Sequence, residues 1–174
     1  TYTESFSLTA PSPISFEIET AAINCYEGAD GNINLTASGG TGDFDFDWSN
    51  GGTQNEINNL ISGQYFITAT DANNCAHHDS VFLSQPDAPI SVDVAVDAVN
   101  CFGGTDGNIN LTAIGGTGSL AYQWDNGTDE ANNNNLTEGT YNIIITDANN
   151  CEYTEAVYLP QAPAISLDIA VDPI

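Results

Sequence analysis

"DFDFDW", residues 43–48, sets the period of the chain. Phe44, Phe46 and Trp48 alternate with Asp43, Asp45 and Asp47, and a two-residue period puts one set on each face of an extended strand. The same alternation runs outward on both sides. Ile14, Phe16 and Ile18 alternate with Ser15, Glu17 and Glu19, and Ile33, Leu35 and Ala37 with Asn32, Asn34 and Thr36. Tyr65, Ile67 and Ala69 follow, then Val81 and Leu83. Between these runs stand "GGTG" (39–42), "SNGG" (49–52), "ISG" (61–63) and "DANN" (71–74), turn chemistry built on Gly, Asn and Asp. No stretch carries a helical period. Half-buried antiparallel strands, roughly six or seven per unit, predict a small β-sandwich.

The unit is repeated. Cys25 and Cys101 stand 76 positions apart (101 less 25), and so do Cys75 and Cys151 (151 less 75). Residues 25–75 lie over 101–151 without a gap: "DGNINLTASGGTG" over "DGNINLTAIGGTG", Trp48 over Trp124, Tyr65 over Tyr141, and "TDANNC" over itself. A fixed period of this kind is the mark of an array. The flanks continue it. "YTESFSLTAPSPI" (2–14) matches "YTEAVYLPQAPAI" (153–165), and "ISLDIAVDPI" (165–174) matches the start of both copies. The expected organisation is the C-terminal strand of a preceding repeat at 1–13, whole repeats at 14–88 and 89–164, and the first strand of a following repeat at 165–174. Both ends then fall inside a repeat, so the chain reads as a piece of a longer array. "QPDAP" (85–89) and "QAPA" (161–164) leave short, proline-stiffened junctions that favour semi-rigid spacing over a flexible string.

Composition narrows the partners. The chain holds 24 acidic residues and no Lys or Arg, for a net charge of −24. Nucleic acid is disfavoured, because phosphate binding needs cations, and an anionic membrane surface would repel the chain. With 41% hydrophobic residues in patterned positions, it is not disordered by composition. The charge serves to keep a surface array soluble. His77 and His78 are the only histidines, fall on opposite faces of a strand, and have Tyr153 and Thr154 in their places in the second copy. No catalytic residues are assigned, and an enzyme is not expected.

The four cysteines predict staples. Of the three connectivities that four cysteines allow, Cys25–Cys75 and Cys101–Cys151, one bridge inside each copy, is the simplest. Closing a loop of about 50 residues would contribute on the order of 4 kcal/mol in the chain-entropy view. Metal-binding cysteine is the rival, but no C-x-x-C pair is present. Disulfides persist outside the cytoplasm. Leu60-x-x-Gly63-x-Tyr65 and Leu136-x-x-Gly139-x-Tyr141 have the form of a tyrosine corner, and a Cys…Trp…Cys order appears in each copy. Together these predict tandem immunoglobulin-like antiparallel β-sandwich domains, all-β, with Trp48, Tyr65, Trp124 and Tyr141 in the cores and the tryptophans beside the disulfides.

"C-x-x-G-x-D-G-x-I" (25–33), "GGTG" before an aromatic strand ending in "WSNG" (48–51), and "NLISGQYFITATDANNC" (59–75) together resemble the SprB repeat, found in large surface adhesins of gliding Bacteroidota. The resemblance covers both copies and, through the flanks, nearly the whole chain. Copy two departs with "WDNG" for "WSNG" and with a polar "ANNNNL" (131–136). The resemblance implies a long filamentous protein exported by type IX secretion, held outside the outer membrane and moved along the cell in gliding. Its repeats would be structural modules of the stalk. Their partners would be neighbouring repeats, with surface polysaccharide or the substratum at the adhesive parts. The alternatives are a glycan- or protein-binding module that uses the loops "WSNGGTQNE" (48–56) and "WDNGTDEAN" (124–132), or a spacer in a secreted enzyme.

Two further sites are expectations. An intracopy disulfide would bring the 25–32 and 71–75 turns to one end, gathering Asp30, Asp71 and Asn73, and in copy two Asp106, Asp147 and Asn149, as ligands for calcium. Tight turns use Asp and Asn in any case. "DSV" (79–81) resembles a short O-glycosylation motif, which makes Ser80 a candidate acceptor. Sequons such as Asn34-Leu-Thr36 are expected by chance in so Asn- and Thr-rich a chain.

Overall fold

The computed structural model describes residues 2–4 and 9–169. The chain divides between Pro86 and Asp87 into two units. The first holds β1 (Ser15–Ala21), β2 (Gly31–Ser38), β3 (Phe44–Trp48), β4 (Glu56–Leu60), β5 (Gly63–Asp71) and β6 (Ala76–Leu83). The second holds β7 (Ser91–Asp97), β8 (Gly107–Ile114), β9 (Ala121–Trp124), β10 (Asn132–Leu136), β11 (Gly139–Thr146) and β12 (Glu152–Leu159). No helix occurs among the described residues.

Each unit is a pair of three-stranded antiparallel sheets, β1-β2-β4 with β3-β5-β6, and β7-β8-β10 with β9-β11-β12. The alternation that predicted the strands sorts their faces. On β3 the three apolar side chains turn inward and Asp45 and Asp47 turn to solvent. Ile33, Leu35, Ile57 and Leu60 of one sheet meet Trp48, Tyr65, Ile67 and Leu83 of the other in a single core. Burial of each large apolar side chain there contributes about 1.5–3 kcal/mol relative to exposure. The second core repeats this with Ile109, Leu111, Trp124, Leu136, Ile143 and Leu159. The polar "ANNNNL" stretch still forms β10, paired with β8 as β4 pairs with β2. Both strands carry a bulge, and Asn59 (φ 57°) and Asn135 (φ 58°) supply the left-handed residue it needs.

The route of the chain gives each unit two unlike ends. In unit one, Ser15 pairs with Ser38 and Phe44 with Asp71, and the amide of Ala72 donates to the Thr41 carbonyl at 3.0 Å. These residues form the end where the chain enters, the entry pole. At the other end Gly31 pairs with Leu60 and Gly63 with Leu83, and the Ile23 amide donates to Ser84 at 3.1 Å. There the chain leaves, so this is the exit pole. Unit two follows the same route, from Ser91 opposite Ile114 to Leu159 opposite Gly139.

Residues 1–13 and 165–174, expected to be strands of adjoining copies, lie partly outside the described residues. The parts that are described, 2–4, 9–13 and 165–169, form no strand.

Candidate functional site

Each pole is organised by one carboxylate. At the entry pole, Asp71 Oδ1 accepts from the amides of Asn73 (2.9 Å) and Cys75 (2.8 Å), and Oδ2 accepts from the Thr41 amide (2.9 Å). One buried side chain therefore ties the β5–β6 turn to the "GGTG" loop. Asp147 does the same with Asn149 (2.8 Å), Cys151 (2.9 Å) and Thr117 (2.8 Å). The Cys75 amide is the largest influence on Asp71 and, with Asn73 and Thr41, holds its carboxyl below the ordinary 3.8 although burial opposes this. For Asp147 burial is the largest influence and raises the value, but the amides of Cys151, Thr117 and Asn149 together outweigh it and the net shift is downward. Gly39 and Gly115 admit the chain here: a Cβ on either would fall within about 2 Å of the Pro13 or Pro89 carbonyl oxygen, at 2.0 and 1.9 Å.

At the exit pole Asp30 accepts from the Asn24 amide, and Asp106 from the Asn100 amide (3.2 Å) and side chain (2.6 Å). The Asn100 side chain and then its amide hold the Asp106 carboxyl below 3.8. Gln85 accepts from the Glu27 amide at 3.1 Å, and Gln161 from the Gly103 amide at 2.7 Å. Each "TDANNC" is thus a knot of backbone amides round a carboxylate, and each "C-x-x-G-x-D-G" bonds its carboxylate back to the amide and side chain of the Asn just before its cysteine.

This placement corrects two expectations. The bridges Cys25–Cys75 and Cys101–Cys151 are not formed: Cys75 and Cys101 are free thiols, while Cys25 and Cys151 are disulfide-bonded. The reason is geometric. Cys25 and Cys101 sit at exit poles, Cys75 and Cys151 at entry poles, and strands of eight residues lie between. At about 3.3 Å per residue that is roughly 25 Å, whereas a disulfide joins Cα atoms within about 7 Å. The tryptophans accordingly have no intracopy disulfide beside them. The calcium set is divided by the same distance. Asp30 and Asp106 lie at exit poles, and Asp71, Asn73, Asp147 and Asn149 at entry poles, where backbone amides engage the carboxylates of Asp71 and Asp147. Among the described residues, no three or more His, Cys, Asp or Glu gather as metal ligands.

The remaining side chains are placed as follows. Trp48 and Trp124 are each 2% exposed, and their indole nitrogens donate to the carbonyls of Gln54 (2.8 Å) and Glu130 (3.0 Å). The loops 48–56 and 124–132 are pinned from inside by these bonds. Tyr65 Oη donates to the Ile61 carbonyl at 2.9 Å, and Tyr141 Oη to Thr137 at 3.0 Å, the bonds of a tyrosine corner. His77 packs edge-on against Phe16, with centroids 4.6 Å apart, while His78 Nδ1 lies 2.8 Å from Thr68 Oγ1 on the outer face. Ser80 is exposed on the edge strand β6. Sequence reasoning missed Asn133, which is 1% exposed in the second core. Its inward place in the alternation was the available signal.

Tandem β-sandwich units with immunoglobulin-like sheet order and tyrosine corners define the class. The family model of the SprB repeat matches residues 19–53 and 94–129, one segment in each unit. Among solved structures, similarity extends to a C-terminal 282-residue fragment of intimin in complex with the translocated intimin receptor intimin-binding domain (15% identity, TM-score 0.41, 86% of this chain and 64% of that one). It extends also to the N-terminal eight Ig domains of Down syndrome cell adhesion molecule (13%, 0.40, 88% and 25%) and to domains 4 and 5 of the S-layer protein SbsC (15%, 0.32, 86% and 100%). The chain thus spans 64% and 25% of the length of the first two. A comparison with curated proteins gives no match. No helix among the described residues is long and apolar enough to cross a membrane.

Proposed function

We propose that these repeats are structural, non-catalytic modules in the stalk of a long adhesin on the outer surface of the cell, serving attachment and gliding. The observation that carries this reading is the route of the backbone. Each unit takes the chain in at one pole and releases it at the other, so adding a copy adds length. The SprB matches in both units support the family context, with type IX export and outer-membrane association as its natural setting. The pole carboxylates also support it, because Asp71, Asp106 and Asp147 are each engaged by hydrogen bonds within their own unit. Neighbouring repeats are the first partners, and polysaccharide or substratum would be met elsewhere along the stalk. Ser80, exposed on an edge strand, is kept as a glycan acceptor, tested by the intact mass of the secreted chain.

The experiment is a series of arrays that concatenate residues 14–164 in increasing copy number, viewed by electron microscopy. Contour length should grow linearly with copy number, and glycan or substratum binding should not depend on loops 48–56 and 124–132. Arrays that collapse to constant length would sink the stalk reading. Binding that is lost on loop substitution would favour the recognition module instead.

A further inference from the structure

The four cysteines are of two kinds by position: Cys25 and Cys101 mark exit poles, Cys75 and Cys151 entry poles. Neither unit can bridge its own pair, since the poles stand roughly 25 Å apart at about 3.3 Å per strand residue. Yet one cysteine of each kind is already oxidised, Cys25 at an exit pole and Cys151 at an entry pole. Their repeat equivalents, Cys101 and Cys75, are the exposed free thiols. Both positions are therefore competent to form disulfides, and the two left over are of opposite kind.

We propose that Cys101 and Cys75 are docking thiols that join this segment covalently to further copies, the exit-pole cysteine of one copy bonding to the entry-pole cysteine of another. This deepens the stalk reading and rests on it for the identity of the partner. The surface round Cys101 suits such a docking. Cys101, Phe102, Ala162, Pro163 and Ile165 line an open cleft of about 410 Å³, and Phe102 is 63% exposed. The entry pole presents Cys75 at the end of a turn held rigid by Asp71, so its thiol is offered from a fixed base. Formation of the bridge removes one hydrogen from each thiol and makes one S–S bond. The two electrons and two protons pass by exchange to a disulfide oxidant, which leaves as two thiols.

The test uses the 174-residue chain, mixed in equal parts with its ¹⁵N-labelled form and incubated with oxidised and reduced glutathione. Non-reducing electrophoresis should give a ladder of covalent oligomers. Mapping with a protease that cuts after acidic residues should find Cys75–Cys101 peptides, half of them with mixed isotopes. Cys75→Ser or Cys101→Ser should each abolish the ladder, as should alkylation of the native thiols before oxidation, a control that needs no substitution. The proposal is overturned by a chain that stays monomeric, by Cys75–Cys75 or Cys101–Cys101 as the main product, or by closure of Cys75–Cys101 within one chain. Those results would leave the backbone route untouched, so the stalk reading would still stand or fall on its array lengths.

Discussion

Ile57 on β4 and Asn133 on β10 occupy the same place in the two copies, and both are buried, at 7% and 1% exposure. What surrounds them differs in step. In copy one, a Cβ on Gly52 would meet the Ile57 Cγ2 methyl at 2.7 Å, so the larger apolar side chain and the glycine fit each other. In copy two the glycine's place is taken by Thr128, whose hydroxyl donates to Asn133 Oδ1 at 3.0 Å. Asn126 Nδ2 donates to the same oxygen at 3.0 Å, and Asn133 Nδ2 returns a bond to Asn126 Oδ1 at 3.2 Å. Alternation thus fixes which way a residue faces and leaves its chemistry free. A polar residue is tolerated in the core when each of its polar atoms finds a partner, and among the described residues no buried side-chain polar atom lacks one.

The sharpest way to break this comparison is to exchange the pairs. Gly52→Thr alone should lower the stability of copy one by about 1–3 kcal/mol through overpacking against Ile57. Adding Ile57→Asn should recover part of the loss, with a coupling of about 0.5–3 kcal/mol in the double-mutant cycle. Each copy has one tryptophan, so urea unfolding followed by Trp48 fluorescence in a Trp124→Phe chain reports copy one. Strictly additive losses would show that the two positions do not act as a pair.

The next effect concerns what the copies share. Asp71 and Asp147 have carboxyls held below the ordinary 3.8. A carboxyl depressed in the folded state contributes stability that is complete above its unfolded value and is lost as pH falls through the folded one. Acid should therefore destabilise both copies below about pH 4. Asp71→Asn and Asp147→Asn should lower the melting temperature at neutral pH and flatten this acid limb, each in its own copy. An unchanged acid limb would remove the carboxylate knot from the account.

The smallest effect is the tyrosine corner. Tyr65→Phe and Tyr141→Phe should each cost about 1 kcal/mol. Copy one should lose more, because Tyr65 is 8% exposed while Tyr141 is only half-buried. Equal losses, measured by the same fluorescence unfolding, would mean that burial does not set the strength of this bond.

The sandwich was legible because its signals are local. A period of two, Gly and Asn turns, and a Leu-x-x-Gly-x-Tyr start to β5 each act within a few residues. The cysteine pairing was not, because it depends on counting strand directions. Four strands, β2 to β5, separate Cys25 from Cys75, and a simple up-and-down alternation would return the chain to the end it left. β3 and β4, however, run the same way in different sheets: β3 is antiparallel to β5, and β4 to β2. One missed reversal moves Cys75 to the opposite pole and takes the imagined calcium ligands with it. No spacing of residues 49–55 announces that crossing. Asn133 was hidden for another reason, since its partners Asn126 and Thr128 resemble ordinary loop polarity until the fold brings them inward.

The route through each unit also sets how it would bear a load. Force on the chain would arrive through β1 at one pole and depart through β6 at the other, along the strand axes. β1 is held by its ladder to β2 and β6 by its ladder to β5, so every rung would be strained in shear together, with no free end from which to peel. Endurance of that kind is governed by the rate of forced unfolding and not by the equilibrium free energy, so a unit of ordinary thermal stability can still be slow to give way under a tug.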